Sequence, residues 1–108
     1  MDEITLEDFQ KLDLRTATIV SVEDHPNASK LYVIKVDLGN ETRQLVAGIK
    51  NSYAKEELIN KKIVMITNLK PAVLRGVESR GMLLAADDNG NIAVLTPDKD
   101  VGNGTKIR

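Results

Sequence analysis

Apolar and polar residues alternate along the chain with two periods. Leu6, Phe9 and Leu12 recur at helical spacing behind Thr5, a capping residue, with Glu7 and Asp8 in the first turn. This predicts a short N-terminal helix ending near Asp13, with Phe9 in the core. From Leu14 to Val22 the period becomes two: Thr16, Thr18, Val20 and Val22 alternate with Arg15, Ala17, Ile19 and Ser21. Both sets are partly apolar, so a curved strand is expected. Leu31–Leu38 is the clearest strand, with Tyr32, Ile34, Val36 and Leu38 on one side. Gly39-Asn40 turns the chain, and Thr42–Ala47 returns as a hairpin partner. A helical turn follows within 52–60, with Leu58 and Ile59 facing inward. Lys62–Leu69 and Gly81–Ala86 read as the fourth and fifth strands, separated by a loop over Lys70–Arg80. Asn89-Gly90 is the pair favoured in two-residue hairpin turns, and Ile92–Leu95 pairs back across it.

Three strands, a helical turn and two strands is the connectivity of an oligonucleotide-binding (OB) barrel. The expected fold is therefore mainly β: a five-stranded OB-fold barrel with a short N-terminal helix, a helical turn between strands three and four, and a C-terminal hairpin extension. No repeat or linker divides the 108 residues, so one domain over 1–108 is expected, with 87–108 as the extension.

Composition narrows the function more by exclusion than by assignment. The chain is 42% hydrophobic and 29% charged, which suits a folded domain, and holds no apolar run of membrane-spanning length. Asp2 and Glu3 at the start speak against a secretory signal. No cysteine and a single histidine, His25, leave no thiolate or zinc set, so no metal and no cofactor is expected. The absence of cysteine fits a cytoplasmic location. No Ser/His/Asp arrangement or phosphate-cradling glycine loop is present, and an enzyme is not expected.

Charge carries a positive signal. The formal net charge of −1 conceals an acidic segment 1–24, with two bases and seven acids, and a basic segment 25–80, with ten bases and five acids. OB barrels bind oligonucleotides on the face of strands two and three, between the loop joining strands one and two and the loop joining strands four and five. Lys30, Lys35, Arg43, Lys70, Arg75 and Arg80 all fall on those elements. Lys30, Arg43, Lys70 and Arg75 are expected on one side of the barrel. Phe9, Tyr32 and Tyr53 are the only aromatics, too few for a base-stacking platform. Structured RNA held through phosphates and 2′-hydroxyls fits better than single-strand capture.

Beyond composition, the sequence resembles the tRNA-binding domain family. The resemblance rests on Asp8–Arg15, His25–Tyr32, Val36–Gly39, Ala47–Ile49, Asn68–Pro71 and Leu74–Ala86, in order and at family-like spacing. It is most like the C-terminal or separate domain of archaeal-type methionyl-tRNA synthetases and the free-standing structure-specific tRNA-binding proteins. The resemblance implies a non-catalytic homodimer that holds the outer corner of tRNA with little sequence preference. A methionyl-tRNA synthetase catalytic chain is implied as a partner. Carried over residue by residue, the implied RNA contacts are Lys30, Arg43, Asn68, Lys70, Arg75, Ser79 and Met82. Ser29 departs from the acid that many members carry.

The same residues have plainer roles open to them. Arg43 has Glu41 and Asp37 as ion-pair partners within reach. Asn68 can bond backbone at a strand end, Ser79 can serve a turn, and Met82 can belong to the core. His25 beside Pro26 reads as a loop-shaping residue. A competing function is a peptide-binding chaperone related to protein secretion, which shares this fold. It would need an apolar groove from residues such as Leu31, Val33 and Met82. Dimerisation would draw on Ile92, Val94, Leu95, Val101 and Ile107 of the extension.

Overall fold

A computed structural model describes residues 1–108. The elements in chain order are α1 (Leu6–Gln10), β1 (Leu14–Asp24), β2 (Tyr32–Asp37), β3 (Thr42–Ala47), α2 (Lys55–Leu58), β4 (Lys62–Ile66), β5 (Ala72–Leu74), β6 (Val77–Ser79), β7 (Met82–Leu83), β8 (Ala85–Asp88) and β9 (Asn91–Val94).

The long strand β1 organises the barrel. Residues 14–18 pair antiparallel with β4, and residues 18–24 pair antiparallel with β2. Between Ile19 and Ser21 the β2 register slips, so Val20 is an extra residue, bulged and exposed. A bulge bends a strand and adds twist, and here it lets one strand belong to both halves of a barrel. The sheet order is β3-β2-β1-β4-β7. The edge of β3 meets β6 and the turn after it: Arg80 N–H donates to the Gln44 carbonyl at 2.9 Å, and Val46 N–H donates to the Ser79 hydroxyl at 3.0 Å. The five-stranded OB barrel is thus nearly closed.

The alternation read along the strands predicts which residues go inside. Ala17, Ile19, Ile34, Val36, Leu45, Leu58, Ile63 and Met65 are all buried within the barrel. Every buried side-chain nitrogen or oxygen has a hydrogen-bond partner. Gly81 sits at a close approach inside the barrel. Its φ is +110°, and a Cβ there would lie 2.7 Å from Met65 Cε and 2.8 Å from the Ile66 carbonyl oxygen.

Four expectations are corrected. The N-terminal helix buries nothing: Leu6 and Leu12 are exposed and Phe9 is only half-buried, because a single helical turn and a half finds no groove on the barrel. Ile59 faces solvent although its neighbour Leu58 is fully buried, since the helix ends there in an extended residue. The segment Lys70–Arg80 is not a loop but contains the hairpin β5–β6. The fifth strand divides at Leu84, whose N–H still donates to Val64 while the following residues leave the barrel to pair with β9.

The C-terminal tail straps its own barrel. Thr16 exchanges bonds with Gly102, Gly104 and Thr105, Lys62 Nζ donates to the Val101 carbonyl, and Lys106 pairs with Asp13. Val101 and Ile107 are half-buried in this packing, and Ile92 and Val94 rest against the core. Of the apolar residues expected at a dimer contact, Leu95 remains exposed. No helix is long and apolar enough to cross a membrane.

Candidate nucleic-acid interface

The hairpin β5–β6 lies beside β3 and turns at Arg75-Gly76, both in the left-handed region with φ of +53° and +89°. Leu74 pairs with Val77, so these two residues are the entire turn. The loop joining β1 to β2 comes up against this apex. Asn27 N–H donates to His25 Nδ1 at 2.9 Å, which leaves Nε2 as the protonated nitrogen, donating to the Leu74 carbonyl at 2.8 Å. Asn27 Nδ2 donates to the Arg75 carbonyl at 3.2 Å. His25 is buried, and its loop-shaping role extends to joining two loops. The His25-Pro26-Asn27 signal read from sequence therefore has a physical content that spacing alone does not reveal.

Ion pairing divides the bases into two groups. Lys11, Arg15, Arg43, Lys50, Lys55 and Lys106 each meet a carboxylate within 3.3 Å. Asp24 bridges Lys50 and Lys55, and these two hold its carboxyl below the usual range. Of the nine bases with no carboxylate partner within 4.0 Å, Lys61 and Lys62 stand at the entry to β4 and Lys99 and Arg108 in the C-terminal tail; the other five, Lys30, Lys35, Lys70, Arg75 and Arg80, are exposed. All five belong to the β1–β2 loop, β2, or the hairpin segment.

The predicted contact residues separate accordingly. Lys70 and Met82 line one small cleft of about 150 Å³ together with Ser79, Leu69 and Leu74. Arg75 stands at the hairpin apex, latched to the loop that carries Lys30. Arg43 lies elsewhere. It pairs with Val36, whose side chain is fully buried, whereas Lys35 pairs with Gln44, so Arg43 and Lys35 occupy opposite faces of the sheet. The Arg43 guanidinium enters the barrel mouth, donating to Glu41 and to the Thr67 carbonyl, and it holds the Glu41 carboxyl below its usual range. Arg43, expected beside Lys30, Lys70 and Arg75, thus lies on the face opposite Lys35 with its guanidinium engaged within the protein. Asn68 joins α1 to β1 through both ends of its amide, accepting from Asp13 N–H at 2.8 Å and donating to the Lys11 carbonyl at 2.7 Å. The Ser79 hydroxyl is buried, accepting from Val46 and donating to the Gly81 carbonyl. Sequence reasoning placed Lys35 and Arg80 on these elements but omitted them from the contact set. Their lack of any carboxylate partner is the added signal.

A second feature adjoins the first. An apolar cleft of about 540 Å³ opens between β3 and the β7–β9 region, lined by Val46, Ala47, Ile49, Met82, Leu84 and Leu95 among others. Of the groove residues expected for peptide binding, Met82 is present and Leu31 and Val33 are not.

Residues 14–106 match the family described as "Putative tRNA binding domain". The methionine–tRNA ligase of Thermococcus onnurineus is 61% identical over 108 residues, all of this chain and 15% of that protein. The chain thus spans about one seventh of the length of the curated relatives it matches. Among solved structures, the MetRS-related protein from Pyrococcus horikoshii superposes with a TM-score of 0.94 at 32% identity, covering 100% of both chains. The CsaA chaperone protein from Picrophilus torridus superposes with a TM-score of 0.91 at 36% identity, covering 98% of this chain and 100% of that one.

Proposed function

The chain belongs to the tRNA-binding domain family, and from that premise we propose that it is a non-catalytic module that holds folded tRNA by shape and charge, with little regard to sequence. The observation that carries this reading is that five of the nine bases without carboxylate partners, Lys30, Lys35, Lys70, Arg75 and Arg80, fall on the β1–β2 loop, β2 and the hairpin segment, with the loop and the hairpin joined by hydrogen bonds. A base already paired loses much of its attraction for phosphate, whereas these five have no carboxylate in direct contact, Arg80 acting on Glu41 only at longer range. Met82 supplies apolar contact at the adjoining cleft. Arg43, Asn68 and Ser79 support the surface from behind, since their polar atoms are engaged within the protein.

In the cytoplasm, the module serves a methionyl-tRNA synthetase catalytic body, covalently or in trans, by raising the local tRNA concentration. Two copies associate through the C-terminal extension, where Leu95 is exposed, giving a homodimer with two such surfaces. Light scattering then returns twice the 11.9 kDa mass of this chain.

Fluorescence anisotropy of labelled tRNA over a salt series tests the binding. Four to six phosphate contacts give a log–log slope of about −3 to −5. Folded tRNA binds more tightly than the same RNA heat-unfolded. A flat salt response, or equal affinity for the unfolded strand, contradicts the reading.

The apolar cleft favours a second reading, a peptide-binding chaperone. Unfolded-peptide capture abolished by a charged residue at Ala47, with no tRNA shift at low salt, would replace the first reading with this one.

A further inference from the structure

We propose that His25 and Asn27 are positioning residues, which fix the spacing between Lys30 and Arg75 and so set the geometry of the tRNA-binding surface. The inference rests on the tRNA-binding reading above. Three observations carry it.

The hairpin β5–β6 has its own ladder of three residue pairs, and its β6 side is tied to β3 by Gln44 Nε2 to the Glu78 carbonyl and Val46 N–H to the Ser79 hydroxyl. Yet the carbonyls of Leu74 and Arg75, at the turn, are both taken by the β1–β2 loop, from His25 Nε2 and Asn27 Nδ2. Asn27 lies 3.8 Å from where a Cβ on Gly76 would stand, so the loop touches the apex closely.

Arg75 itself is held at φ +53°, a conformation in which Asn or Gly fits with less strain. A non-glycine residue kept there against its preference points to a side chain needed at that place. The latch holds the backbone of that residue directly.

His25 is set for this role and for no other visible one. It is buried, both ring nitrogens are engaged, and one tautomer satisfies both bonds. Lys30 follows Asn27 by three residues on the same loop, so a displaced latch separates two free charges that otherwise move as one body.

A double-mutant cycle on the full chain separates positioning from direct contact. Asn27 is exposed, so Asn27→Ala leaves the core intact. Measured with folded bulk tRNA, Asn27→Ala weakens binding by about three- to tenfold, and Arg75→Ala does so by a similar factor. In the Arg75→Ala background, Asn27→Ala adds little further loss, because no side chain remains to be positioned. Asn27→Gln, which keeps the amide donor, restores part of the affinity, and His25→Gln behaves as Asn27→Ala does. Losses that multiply in the double variant, or an Asn27→Ala chain that binds as the unaltered one, overturn the inference while leaving the tRNA-binding reading in place. An unaltered chain without salt-dependent tRNA binding overturns both.

Discussion

The backbone N–H of Val46 donates to the hydroxyl of Ser79 at 3.0 Å, and this side chain bridges the gap where β3 has no strand ladder on its outer edge. A serine expected to face RNA thus closes the barrel that presents the proposed RNA-facing residues. Its own proton goes to the Gly81 carbonyl at 3.2 Å, two residues on, in a turn with no room for a Cβ.

Ser79→Ala leaves the Val46 N–H without a partner in a buried place. The expected loss of stability is about 1–3 kcal/mol, read as a lower urea midpoint. Affinity for tRNA, measured where the variant is fully folded, stays within about twofold.

Gly81 and Gly90 make a contrasting pair. A methyl at Gly81 meets Met65 and the Ile66 carbonyl below 3.0 Å, while one at Gly90 meets nothing within 4 Å. Gly81→Ala is expected to lose about 3 kcal/mol or more, combining left-handed strain with overpacking. Gly90→Ala loses about 1 kcal/mol from strain alone. Equal thermal shifts for the two variants would contradict this account of the turn.

Arg75→Asn exchanges charge for conformational ease. Asn tolerates the left-handed turn, so the variant gains up to about 1 kcal/mol of stability in a urea titration. It also loses tRNA affinity and reduces the salt slope by about 1.

The Asp13 carboxyl is held below its ordinary value of 3.8, first by the Thr67 hydroxyl and then by Lys106 and Arg15. A carboxylate with a depressed folded-state pKa contributes stability that is complete above its unfolded value and is lost as pH falls through the folded one. Acid below about pH 4 therefore loosens the junction of β1, β4 and the tail. Asp13→Asn flattens the fall in urea midpoint between about pH 5 and pH 3, and Thr67→Val does so in part.

Strand alternation made the barrel legible. The residues Tyr32, Ile34, Val36 and Leu38 sit on one side because a two-residue period allows no other burial, and all four are buried. The Asn89-Gly90 hairpin was equally plain, since few pairs fit a turn with φ of +52° and +91°. The short hairpin within 70–80 was hidden, because its residues are nearly all exposed and carry no buried periodicity. The position of Arg43 was hidden for a different reason. Its face depends on the β2–β3 register, and a shift of one residue would exchange it with Gln44. Which bases lack acidic partners depends on distances between remote segments, such as Asp24 with Lys50 and Lys55, and no local pattern reports those.

The central claim is that free bases, not merely bases, hold the ligand. A salt-series titration with folded tRNA compares the unaltered chain with Lys30→Ala/Lys70→Ala/Arg75→Ala and with Lys11→Ala/Lys50→Ala/Lys55→Ala. Both triple variants lose three positive charges, so total charge is controlled. The account predicts that the first reduces the salt slope by about 2 to 3 and the second leaves it nearly unchanged. Equal losses of slope in the two variants would contradict it.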